Sequence, residues 1–266
     1  MILHWNAILL GIIEGITEFL PISSTGHLLI AEQWLGHRTD VFNVVIQSGA
    51  ILAVTLVYWR RLWQLATGLA QQDNRAYAGK LTLAFVITGI LGLIAVRHGF
   101  KLPETVVPIA WALVLGGVWM IAAEEVAARL KPGAEVSWTV AIIVGLAQMA
   151  AAIFPGLSRS GSTIFAAMLA GTRDRSAATE FSFLVGIPTM YAASGYELWK
   201  QLHHGAQHEA WTSLGIAFIA ATITAFIAVK WLLGYIKSHH FTVFAWYRIV
   251  LGTALLIAVA LGWLPS

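Results

Sequence analysis

The stretch E-G-I-T-E-F-L-P-I-S-S-T-G-H, from Glu14 to His27, decides how this chain folds. It begins as an apolar helix, meets a proline at Pro21, and turns polar at once. A second stretch, Q-M-A-A-A-I-F-P-G-L-S-R-S-G-S-T from Gln148 to Thr163, does the same. When Pro21 is laid on Pro155, Leu20 matches Phe154, Ser24 matches Ser158 and Glu14 matches Gln148. Each half of the chain therefore places a serine just beyond a proline break in apolar surroundings. In a bilayer such broken, polar backbone is tolerated only where protein buries it or a cavity uses it.

Composition sets the solvent. Of 266 residues, 58% are apolar and 11% charged, and the mean hydropathy is +0.76. An ordinary soluble domain has roughly 25% charged residues. The expected class is an all-α polytopic membrane protein. No secretory signal with a small-residue cleavage site is expected, since the first apolar helix starts at the N-terminus. With no cysteine, thiolate catalysis, disulfides and cysteine metal sites are excluded. A formal charge of +3 could suggest nucleic acid, but the basic residues are scattered between apolar runs, so none is expected as a partner.

Working outward, uninterrupted spans are expected near 41–59, 80–97, 106–124, 177–197, 212–234 and 242–263, each near the ~20 residues that cross a bilayer. The two broken segments are too short for that. Residues 5–20 make about 24 Å of helix and 26–36 about 16 Å. The same holds for 137–153 and 161–171. Each pair is read as a re-entrant hairpin, 5–36 and 137–171, against the alternative of one kinked span. Further correspondences extend the repeat: Ala84-Phe85 with Ala217-Phe218, and Trp111-Ala-Leu-Val-Leu-Gly with Tyr247-Arg-Ile-Val-Leu-Gly. Two repeats follow, 1–133 and 134–266, each a hairpin plus three spans within one membrane domain. An odd number of crossings inverts the second half, which brings the two breaks together inside the membrane.

Loop charge orients the molecule. Loops 60–80, 125–137, 172–176 and 230–240 carry ten Lys and Arg residues; the other face carries four, namely Arg38, Arg97, Lys101 and Lys200. The positive-inside rule puts the first set in the cytoplasm and both termini outside. Arg159 and Arg248 remain within apolar segments. Arg248 is read as a structural or snorkelling cation. His203, His204 and His208, in an outside loop, are read as side chains turned to water rather than a metal site.

The two motifs carry the chemistry. Glu14 and Glu18, spaced i, i+4, share a helix face, so ionising both requires a counter-charge: a divalent cation, Arg159 or a shared proton. Ser23 and Thr25 are read as helix caps, with Gly26 permitting the turn. Ser24 is placed at the centre by its match to Ser158, with His27 or Glu18 as a base beside it. The segment P-G-L-S-R-S-G-S-T resembles an anion cradle, with Gly156, Ser158, Ser160 and Thr163 around a planar Arg159 fork. Two acids, a hydroxyl, an imidazole and an arginine suit phosphoryl transfer or phosphate-ester hydrolysis.

These two motifs strongly resemble the signatures of the undecaprenyl-diphosphatase family, also called BacA or bacitracin-resistance proteins, and the likeness covers the chain in length, motif order and span pattern. The resemblance implies hydrolysis of undecaprenyl diphosphate to undecaprenyl phosphate and inorganic phosphate, recycling a lipid carrier for peptidoglycan in the bacterial inner membrane. It implies a divalent cation, Mg or Ca, and a site open to the outer face. By motif position it puts the catalytic glutamates on Glu14 and Glu18, the serine on Ser24, the histidine on His27 and the arginine on Arg159. Partners are then a polyprenyl diphosphate, the bilayer and, for the protein itself, a homodimer. Among rivals, the acid-phosphatase superfamily needs a second histidine after S-R, and 160–180 has none. A transporter or flippase of polyprenyl phosphate is the other, because inverted repeats with broken helices are common there.

Overall fold

The computed structural model describes residues 2–98, 105–131, 133–204 and 210–264. Among them it forms eleven helices and no strand. They are α1 (Ile2–Thr17), α2 (Ser24–Leu35), α3 (Asp40–Val57), α4 (Trp59–Thr67), α5 (Gln72–Arg97), α6 (Val106–Arg129), α7 (Trp138–Ile153), α8 (Arg159–Ala170), α9 (Arg175–His204), α10 (Trp211–Tyr235) and α11 (Thr242–Ala260). The protein is an all-α polytopic membrane protein. Helices α3, α5, α6, α10 and α11 are long and apolar enough to cross a membrane, with mean hydropathy of 1.8 to 2.1. In α5 only 11% of that apolar stretch is buried by protein, so most of its side chains are left to lipid.

The expected spans fall on α3, α5, α6, α9, α10 and α11, with two differences. Part of the 60–80 loop is helical, because W-R-R-L-W-Q-L-A-T puts Leu65 inward and leaves Trp59 and Trp63 exposed and stacked, 5.7 Å apart. Helix α9 is longer than 177–197 and less apolar than the five. Its Thr179, Ser182 and Ser194 are buried in the protein instead of facing lipid. His208 lies outside the described residues, as does the side chain of His204, and His203 bonds to the Trp199 carbonyl within α9.

Both broken segments are hairpins with their open ends tied together. Asn6 at the start of α1 donates to the Leu35 carbonyl at the end of α2, 2.7 Å. In the second hairpin Thr172 donates to the Glu135 carbonyl, 2.8 Å. These ends sit at opposite ends of α6. Leu29 and Ile30 of α2 pack on the cluster around Val106, whereas Arg175 pairs with Glu124 and Arg173 donates to the Lys131 carbonyl. At 24 residues α6 is about 36 Å long.

Small residues let the arms approach their neighbours, as membrane helices without a hydrophobic drive between them require. A Cβ on Gly11 of α1 would strike the Ala217 carbonyl of α10, and one on Gly145 of α7 would lie 2.9 Å from the Ala84 carbonyl of α5. The pairing of α1 with α10 thus has a counterpart in that of α7 with α5, and α3 with α10 has one in α9 with α5.

Candidate functional site

The tips of the hairpins meet. Ser160 at the start of α8 donates to the Leu20 carbonyl in the first break, 3.0 Å. Arg248 of α11 clamps both tips and is fully buried. It donates to the carbonyls of Pro21 (3.3 Å), Gly156 (2.9 Å) and Leu157 (3.0 Å), and to those of Ala112 (3.1 Å) and Leu113 (3.4 Å) on α6. A cation with no exposed surface does not snorkel, so that half of the sequence expectation is corrected. Here five backbone dipoles take the place of a carboxylate.

The local geometry corrects the repeat alignment as well. Ser23 and Ser158 are the non-glycine residues with positive φ among the described residues, at 73° and 70°. Both are N-caps, and each hydroxyl accepts from the amide three residues on, Gly26 or Gly161. The structural partner of Ser158 is therefore Ser23, not Ser24. The second break, Pro155-Gly156-Leu157, is one residue longer than Pro21-Ile22, which shifts the register beyond it. Ser24 corresponds instead to Arg159, and each is the first residue of its second arm. Gly26 lies inside α2 at negative φ. The turn falls on Ser23, and the missing Cβ of Gly26 makes room for Ile109.

From these equivalent positions both side chains converge on Glu18. The Ser24 hydroxyl donates to Glu18 Oε2, and Arg159 Nη2 donates to Glu18 Oε1 at 3.3 Å. The Glu14 carboxyl lies against that of Glu18, one helical turn back. Glu14, Glu18 and Ser24 are all buried. Arg159 lies over the Phe19 ring, 5.4 Å from its centroid, and a Cβ at Gly186 of α9 would strike its Nη1. Arg159 Nε and Nη1 and Glu14 Oε2 are buried without a hydrogen-bond partner. An unpaired buried donor or acceptor costs about 1–3 kcal/mol, more when charged, so the group fits a ligand that supplies both an anion and a cation.

A cavity of about 220 Å³ opens at this point. Glu18, Ser24, Arg159, Ser158 and Gly156 line it. Four expected site residues do not: Glu14 lies against Glu18 without reaching the wall, and three others are engaged elsewhere. His27 is turned away: Nδ1 meets the Ser23 carbonyl at 2.7 Å, and Nε2 meets the Tyr247 hydroxyl at 2.7 Å, with the rings stacked. A carbonyl only accepts, so Nδ1 carries the proton and Nε2 of the neutral ring accepts from tyrosine. The side chain that accepts from the Ser24 hydroxyl is Glu18. Ser160 is occupied in joining the tips. Thr163 donates to the Arg159 carbonyl within its own helix, 2.8 Å, and faces no ligand.

Sequence reading missed three polar members of the wall, Gln47, Thr88 and Thr189. Gln148 entered it only as the counterpart of Glu14. Their signal was available, since amides and hydroxyls within apolar spans are costly unless used. No cluster of three or more His, Asp or Glu suited to a metal occurs among the described residues. Two carboxylates, Glu14 and Glu18, are nevertheless hard oxygen donors of the kind that hold Mg or Ca with water and phosphate completing the shell. The residues present fit such an ion.

A buried serine, carboxylate and arginine on broken helices, inside a lipid-facing helical shell, define a membrane-embedded site for phosphate chemistry. The chain belongs to the family described as bacitracin resistance protein BacA, whose model matches residues 7–254. Over 252 residues it is 68% identical to a protein of Rhizobium etli called undecaprenyl-diphosphatase, covering 94% of this chain and 95% of that one. A protein of the same name from Xanthomonas oryzae pv. oryzae is 61% identical over 264 residues, 98% and 97% of the two chains.

Proposed function

We propose that this protein is an integral-membrane phosphatase that hydrolyses undecaprenyl diphosphate to undecaprenyl phosphate and inorganic phosphate, returning the lipid carrier to peptidoglycan synthesis and conferring bacitracin resistance. The observation that carries it is the convergence of Ser24 and Arg159 on Glu18 at the meeting of two hairpin tips. The diphosphate enters the cavity while its prenyl tail stays among lipid-facing helices. Ser24 Oγ attacks the terminal phosphorus as Glu18 takes its proton. The bond from that phosphorus to the bridging oxygen breaks, and its electron pair leaves with undecaprenyl phosphate. Arg159 offers its unpaired N–H groups to the equatorial oxygens, where charge develops. Water then displaces Ser24 from phosphorus. Glu14 and Glu18 would hold a divalent cation, Mg or Ca, which supplies further charge neutralisation on the phosphate when bound.

The halves are taken as inverted repeats in the bacterial inner membrane, with both termini and the site's mouth on the outer face. The hairpin ends at opposite ends of α6 and the ten-to-four loop charge support that arrangement. The test is phosphate release by the purified protein from undecaprenyl diphosphate, with and without chelator. Release that chelation abolishes and Mg or Ca restores is expected. No release from folded protein with metal present would refute the phosphatase reading, and is what a pure transporter would give.

A further inference from the structure

The unused side of the cavity has an amide whose orientation the surrounding hydrogen bonds select. Gln148, 2% exposed on α7, has Nε2 3.0 Å from Thr88 Oγ1 and 3.4 Å from Thr189 Oγ1. Thr88 has one hydrogen and gives it to the Ala84 or Gly145 carbonyl, each at 3.0 Å. Thr189 gives its hydrogen to the Val185 carbonyl, 2.9 Å. With their hydrogens so placed, both hydroxyls accept from Gln148. Flipping the amide would draw both hydroxyl hydrogens to Oε1 and forfeit their bonds to the carbonyls, so the unflipped arrangement makes more hydrogen bonds. Nε2 faces the threonines, and both its hydrogens are committed. Gln148 Oε1 is left buried with no partner.

That atom accepts and cannot donate. It repels a phosphate oxygen, so Gln148 is not part of the phosphate cradle. It calls for an O–H, and the cavity at about 220 Å³ has room for water beside a phosphate. We propose that Gln148 Oε1 holds the water that resolves the phospho-Ser24 intermediate. This rests on the phosphatase reading and the Ser24 route above. The water donates one hydrogen to Gln148 and turns its lone pair to phosphorus. An O–P bond forms to water as the Ser24 Oγ–P bond breaks. The water's other proton passes through Glu18 to Ser24 Oγ, and inorganic phosphate leaves. The half-repeat pattern agrees: the position that holds a carboxylate in the first hairpin, Glu14, holds a neutral acceptor in the second.

The test uses Gln148→Met, which keeps the length and removes the acceptor, in the full chain in detergent. Rapid quench follows both products from undecaprenyl diphosphate labelled in its terminal phosphate. Expected are first-turnover formation of undecaprenyl phosphate, and the substrate concentration that half-saturates that first turnover, within threefold of the parent, phosphate release slowed about 100-fold, and label accumulating on Ser24. Gln148→Glu, protonated when buried, keeps a carbonyl oxygen in place and should restore release to within tenfold. An unfolding midpoint equal to the parent's separates these effects from misfolding. The proposal is overturned if both steps fall together, if the half-saturating concentration of the first turnover rises while release is preserved, or if Gln148→Glu is as slow as Gln148→Met. Failure of the parent itself to release phosphate would instead overturn the phosphatase reading.

Discussion

Replacing Arg248 by methionine tests whether the two breaks depend on one clamp. The guanidinium donates to five carbonyls. Those of Ala112 and Leu113 lie inside α6 and keep their i+4 amide partners when the arginine is gone. Those of Pro21, Gly156 and Leu157 lie in the breaks, where Arg248 is their hydrogen-bonding partner. Three carbonyls left unpaired at about 1–3 kcal/mol each cost roughly 3–9 kcal/mol. Removing a buried charge returns a desolvation penalty of several kcal/mol. The terms oppose each other, so stability should fall by only a few kcal/mol. Position has no such offset, because Ser160 to Leu20 and Arg159 to Glu18 are then the bonds left between the tips noted above. Phosphate release should fall at least 100-fold, while the unfolding midpoint drops by a few degrees. Gly116→Ala is the control that keeps the charge: its Cβ would strike Arg248 Nη2 and should give the same loss. If Arg248→Met keeps more than a tenth of the parent rate, the tips hold their geometry without the clamp and the reasoning fails.

Arg159→Lys should lose 100-fold or more in kcat/KM, since a point charge cannot reproduce a planar fork held between Phe19 and Gly186; a rate within tenfold of the parent would remove the phosphate-binding role. Glu14→Gln and Glu18→Gln should raise the metal concentration needed for half-activation as well as lower the rate, whereas Ser24→Ala should cut the rate 100-fold or more while metal binding, followed by calorimetric titration, is unchanged. If Ser24→Ala keeps more than about a hundredth of the rate, water is the attacking group, because general-base assistance is typically worth ~10²–10⁴-fold. Single cysteines at Gln72 and Leu261, both exposed, should label from opposite sides of intact cells; labelling from one side contradicts the inverted arrangement.

Much of this molecule is legible without coordinates, and for a simple reason. Bilayer thickness and helix rise turn apolar length into architecture, so 41–59 or 242–263 could be read as spans and 5–20 as too short. A proline followed by serines and glycine marks a break in the same way. Glu14, Glu18 and Arg159 declared themselves because ionisable groups in apolar segments are costly. What required the tertiary structure was aim. A single extra residue after Pro155 decides that Ser158 pairs with Ser23 and that Ser24 and Arg159 share a position, and no periodicity in the sequence records that shift. His27 sits beside the serines in sequence, but the packing of α11 brings Tyr247 to it and draws the ring from Ser24. Arg248 reads as an isolated cation until two loops more than 90 residues away supply its acceptors. The committed face of Gln148 depends on hydroxyls from α5 and α9 whose hydrogens are already spent. Sequence determines which groups must find partners in a membrane; helix rotation and loop length determine which partners they find.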